Sequence, residues 1–165
     1  MADSYMGIKL KLQIEGKAFK HIKRQNKGVI YRSVDSTRMV KKCIVYREEF
    51  FDELPVIKEV LQDLSCFLHL YDWADKKEKM YMTEWVNDIK PLKVFNIENK
   101  IELLKKIEGD LYILFDEGFY WEGNWEEDIL ITPDNHIRIC DLDSIKPIWI
   151  NSTFEQHYPW HWIIK

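Results

Sequence analysis

The chain has 165 residues, 46% of them apolar and 32% charged, with a net charge of −4. This length and composition allow one domain or two small lobes sharing a cleft, with a real core and a charged surface. The acidic balance argues against a general nucleic-acid binder, and no apolar run approaches the roughly 20 residues that span a membrane. The start lacks the apolar core of a signal peptide, and Cys43, Cys66 and Cys140 form no CxxC pair. The cysteines read as reduced, buried thiols in a cytoplasmic protein.

Ile8, Leu10, Leu12 and Ile14 alternate in a first strand that starts at Met6. A polar, basic segment bracketed by Gly16 and Gly28 follows. Lys9, Lys11, Lys17, Lys20, Lys23, Arg24 and Lys27 make this region locally basic, either as a solvated face or as an arm that meets phosphates. Residues 29–34 and 39–45 are two further strands, joined at an Asp35-Ser36-Thr37 turn, and the three form an antiparallel meander.

Phe50, Leu54, Ile57, Leu61 and Leu64 recur at helical spacing. Pro55 fits only a first turn, which puts the start of regular helix near Leu54. Residues 66–71 and 79–85 read as strands around a charged turn, and a proline-containing connection covers 87–94. A second helix then gathers Ile97, Ile101, Leu104, Ile107, Leu111, Leu114 and Phe115 on one face. Asn96 is its N-cap and Gly118 its end.

After a loop over 119–127 come two short apolar strands joined by a Pro-Asp-Asn turn. Asp128 precedes the first, and Asp141 and Asp143 follow the second. Such a hairpin brings the acids together, either as Mg²⁺ ligands of the kind that face phosphates or as a solvated hairpin end, with Asp143 also placed to cap a turn with Ser144. The tail, 146–165, carries Trp149, Tyr158, Trp160 and Trp162 with few signs of regular structure. In a chain with seven Trp, these rings either plug apolar surface or meet a protein partner. Of the histidines, His21 reads as solvated, His69 as core or interface, and His136 as a turn residue. His157 and His161 are separated by Pro159, which speaks against a helical metal pair.

The element order is that of an α+β protein with lobes over 1–86 and 87–165. It resembles the protein-kinase-like fold, with an antiparallel small lobe and a shortened, mostly helical large lobe. Met80-Tyr81-Met82-Thr83-Glu84-Trp85-Val86 resembles the last small-lobe strand and hinge, which implies adenine contacts at Glu84 and Val86. Glu127-Asp128-Ile129-Leu130 resembles the E-N-I-L of the catalytic loop, with Asp128 in the place of the metal-binding Asn. Ile139-Cys140-Asp141-Leu142-Asp143 resembles the strand into D-F-G, and its D-x-D ending is closer to sugar and lipopolysaccharide-core kinases. The resemblance implies ATP and Mg²⁺, with Asp141 as main metal ligand and Asp128 as the second. Met39-Val40-Lys41-Lys42 resembles the V-A-I-K strand. Lys42 is then the phosphate-binding lysine and Glu59 its ion-pair partner, with Lys41 and Glu53 as fallbacks.

The chain also departs from the family. The glycine-rich loop is missing. Gly123 stands where the H-R-D acid belongs, and Glu122 is the substitute base if the loop is one residue longer. Asp141-Leu142-Asp143 is also similar to the motif of aspartate-nucleophile phosphatases, whose large parallel sheet needs far more chain than follows here. The resemblance and the departures from it imply a pseudokinase-type nucleotide-binding regulator or a small ATP-dependent phosphotransferase; the third function is an interaction domain with no nucleotide.

Overall fold

A computed structural model describes residues 4–5 and 8–158. Met6, Pro159, Trp160, His161 and Trp162 lie outside the described residues, so the start of the first expected strand and the end of the aromatic tail do too. The protein is α+β. It divides into two units, Met1–Pro55 with His69–Asn87 and Val56–Leu68 with Asp88–Lys165.

The first unit opens with a minimal hairpin, β1 (Ser4–Tyr5) and β2 (Ile8–Lys9). Its main feature is a six-stranded antiparallel sheet in the order β3-β4-β5-β6-β8-β7. The strands are β3 (Lys11–Ile14), β4 (Lys17–Arg24), β5 (Gly28–Ser33), β6 (Arg38–Cys43), β7 (Leu70–Asp75) and β8 (Met80–Glu84). Period-two alternation divides the side chains between two faces. One face buries Ile14, Phe19, Val29, Tyr31, Val40, Met80 and Met82 in a single cluster. The other carries Tyr81, whose ring meets Phe50 edge-on at 5.6 Å. Phe50 opens the helix α1 (Phe50–Leu61).

Three expectations need correction here. The basic segment after Gly16, read only as a polar stretch between strands, is itself the strand β4. Lys20 and Lys23 are exposed while Phe19 is fully buried. Helix α1 begins at Phe50 and carries Pro55 in its interior. Burial of Phe50, Phe51 and Leu54 outweighs the one backbone hydrogen bond that the proline removes. His69 is exposed and so is not the core residue of the two alternatives, because the chain at 66–69 is not a strand and β7 starts one residue later.

The second unit is organised by α2 (Ile97–Asp116). The Asn96 side chain caps it by accepting a hydrogen bond from the Asn99 N–H at 2.9 Å. Leu104, Ile107, Leu111 and Leu114 form its buried stripe. The short strand β9 (Lys90–Pro91) joins a three-stranded sheet with β11 (Ile129–Ile131) and β12 (Ile137–Ile139). A second pair, β10 (Phe119–Trp121) and β13 (Ile145–Pro147), lies in what reads from sequence as loop and tail. The chain then forms one helical turn, α3 (Phe154–His157), whose Thr153–Gln156 capping box is complete. Among the described residues no helix is long and apolar enough to cross a membrane. All three cysteines are free; only Cys43 is fully buried.

Candidate functional site

The hairpin β11–β12 has the register Ile129↔Ile139. Asp128 therefore sits opposite Cys140, next to Asp141, at one end of the hairpin. The Cys140 N–H donates to the Asp128 carbonyl at 2.9 Å. Asp128 is held from both sides: its Oδ2 accepts the Asn124 N–H at 2.9 Å, and its Oδ1 faces the Cys140 thiol at 3.8 Å. Asn124 is the organiser of this loop, and the sequence reading passed over it. Its side-chain oxygen accepts the N–H groups of Glu126 and Glu127 at 3.0 and 3.2 Å, an Asx turn that sets the approach to Asp128.

Asp141 adopts a left-handed backbone, φ 58°, a conformation that Asp tolerates better than most residues. It begins a 3₁₀ turn over Leu142–Ser144, and its Oδ2 accepts the Ser144 hydroxyl at 2.6 Å. Asp143 is buried within that turn. Among the described residues no group of three or more His, Cys, Asp or Glu converges as a metal site, so the three acids do not act as one cluster. Asp128 and Asp141 remain a pair of oxygen donors at one hairpin end. Mg²⁺ that accompanies a nucleotide commonly takes only one or two carboxylates, plus phosphate oxygens and water.

The loop before Asp128 differs most from the expectation of a base. A Cβ added at Gly123 would lie 2.1 Å from Cζ2 of Trp121. That ring is fixed, because its Nε1–H donates to the Cys140 carbonyl at 2.9 Å and its backbone N–H donates to the Tyr158 hydroxyl at 2.8 Å. Trp121 is 2% exposed. Only glycine fits at 123. Glu122, the expected substitute, is exposed, and its Oε2 accepts from Lys146 Nζ at 2.6 Å and from the Tyr120 hydroxyl at 3.3 Å.

On the sheet, Lys42 lies on the same face as Val40 and pairs with Glu78 Oε2 at 3.0 Å. Lys41 is its register neighbour on the opposite face, paired across the sheet with Ile30 and Tyr81. Tyr81 is the residue that meets α1 through Phe50, so Lys41, not Lys42, is on the helix side. It is also buried, 4% exposed. Glu59 is exposed and makes no ion pair among the described residues, so the expected Lys42–Glu59 pair is not formed. Glu53 is engaged by a two-pronged contact from Arg47.

Glu84 ends β8, and its Oε1 accepts the His69 N–H at 2.9 Å. The Trp85 N–H donates to the Thr37 carbonyl at 3.0 Å. Among the described residues, nothing is hydrogen-bonded to the backbone of Val86.

No protein-family model matches the sequence, and no curated protein matches it either.

Proposed function

We propose that the protein is a kinase-like nucleotide-binding module of the pseudokinase type, holding nucleotide and Mg²⁺ without transferring phosphate. The observation that carries the reading is the contrast at the hairpin. Asp128 and Asp141 stand at one end of the hairpin, where carboxylate oxygens suit a metal, while the Trp121 ring leaves room only for glycine at 123, where the kinase resemblance expects an acid. The element order supports it: an antiparallel sheet interrupted by α1, then a connection, a long helix and the acidic hairpin. In this reading Lys41 replaces Lys42 as the phosphate-binding lysine, since it stands on the helix side of β6. Glu84 and Val86 bind the base, and Asp128 and Asp141 hold the metal. A bound Mg²⁺ would neutralise phosphate charge.

The active phosphotransferase is the second reading. It rests on Glu122, whose ion pair with Lys146 must open before it can accept a proton. Calorimetry with Mg·ATP, together with an ATP-turnover assay, separates the two. Binding is expected, weakened about tenfold or more by Asp141→Ala and by Lys41→Met, and changed less than about twofold by Lys42→Met. No turnover is expected. Absence of binding at millimolar nucleotide would sink the nucleotide reading. Turnover that disappears in Glu122→Gln would replace the pseudokinase by an enzyme.

A further inference from the structure

The strands β3 and β7 are the two outer edges of the six-stranded sheet. Yet one pocket of about 630 Å³ is lined by both, through Leu12 and Ile14 of β3 and Trp73 of β7. A sheet whose opposite edges face each other across one cavity has curled most of the way towards a barrel. Mouths of barrels are recurrent ligand sites, and this volume is in the range of small-molecule pockets, roughly 300–1,000 Å³.

The wall of the pocket is apolar, formed by Val29, Tyr31 and Met80 of the buried cluster. Trp73 is only partly buried and adds an aromatic face. The rim carries Lys9, Lys11, Arg24 and Lys42 against Asp75 and Glu78. Lys42 is neutralised by Glu78, and Asp75 accepts the Glu78 N–H at 3.0 Å. Lys9 also lies within the field of Glu78, but among the described residues no acid pairs with Lys11 or Arg24. In a chain of net charge −4, an unbalanced basic rim over an apolar, aromatic wall has a definite chemical complement.

We propose that this mouth binds a small amphipathic organic anion, with its phosphate-like head on Lys11 and Arg24 and its aromatic or aliphatic body against Trp73. The site is separate from the one built around Lys41, which lies on the other face of the same sheet. It stands whether or not that face binds nucleotide.

The test is calorimetry with 1-naphthyl phosphate, inorganic phosphate and 1-naphthol. 1-Naphthyl phosphate is expected to bind at least about tenfold more tightly than either half alone, and to weaken as salt is raised. Lys11→Glu, Arg24→Glu and Trp73→Leu are each expected to weaken it about fivefold or more. Lys11 and Arg24 are exposed, so these two variants keep the fold, and thermal melting checks this. Asp141→Ala and Lys41→Met are expected to leave it unchanged. Equal binding of all three probes, no binding at millimolar concentration, or indifference to Lys11→Glu and Arg24→Glu would overturn the proposal. Loss of binding in Asp141→Ala would do the same, by assigning the ligand to the nucleotide face.

Discussion

Gly123 shows how a packing requirement decides chemistry. Trp121 is tied at both its indole and its backbone nitrogen, and its ring fills the volume where a Cβ at 123 would stand. Gly123→Ala is expected to lower stability by about 1–3 kcal/mol through overpacking, read as a lower urea midpoint. An unchanged midpoint would mean that the ring yields. Gly123→Asp, which puts an acid where the proposed kinase-like reading expects one, is expected to destabilise further and to confer no ATP turnover. Cys66 shows the reverse case, a reactive group kept inert. Burial, reinforced by the negative charge of Asp110, pushes its thiol up to about 12. Its backbone N–H is also pinned, donating to Asp110 at 2.9 Å. Alkylation of Cys66 by iodoacetamide near pH 8 is expected to be on the order of a hundredfold slower in the native protein than in urea. Equal rates, followed by mass spectrometry, would refute it.

Among the elements, α1 carries a cost that its sequence makes visible. Pro55 is exposed and sits in the helix interior, where it removes a hydrogen bond and crowds the preceding turn. Its side chain contributes little packing, so Pro55→Ala is expected to stabilise by about 1–3 kcal/mol, seen as a raised melting midpoint. Lower stability would mean that the helix needs the kink. The same helix shows what could be read beforehand. The apolar spacing from Phe50 to Leu64 identified it, but propensity at Pro55 misplaced its start, because burial of two phenylalanines decides the matter. Helix α2 was legible at both ends, since a long periodic stripe, an Asn cap and a glycine all agree there. Strand β4 was not: seven of its eight residues are not fully buried, and lysines on an outward face resemble a loop. The pairs β10 and β13 are three residues each and leave almost no periodic signal. At the site, the acids at the hairpin end followed from strand alternation. Which of Lys41 and Lys42 faces α1 did not, because a one-residue change in register exchanges the two faces of a strand.

At the scale of the molecule, the second unit depends on its C-terminal turn in a way that composition alone does not suggest. Phe154 stacks on Tyr112 of α2 at 3.7 Å and is 4% exposed. The His157 ring lies 3.9 Å from both Tyr120 and Trp149. Tyr158 is 1% exposed and supplies the acceptor for the Trp121 N–H. These rings are core, not an ornament on a finished domain. Burial of two large aromatic side chains and a histidine is worth on the order of 5 kcal/mol, comparable to the whole stability of a small domain. A chain ending at Ser152 is therefore expected to lose cooperative unfolding in its second unit, visible as weakened near-ultraviolet dichroism. The full chain should carry the same dependence as a function of pH. Burial holds the His157 pKa below its ordinary 6.5, and its Nδ1 is buried without a partner among the described residues. A group whose folded pKa is depressed stabilises the fold above the unfolded value, and that contribution is lost as pH falls through the folded one. Stability should thus decline below about pH 6.5, and His157→Phe, which keeps the ring stacking and removes the proton, should flatten that decline. An unchanged acid limb in His157→Phe would assign the pH dependence to other groups and leave the aromatic packing as the only role of the turn.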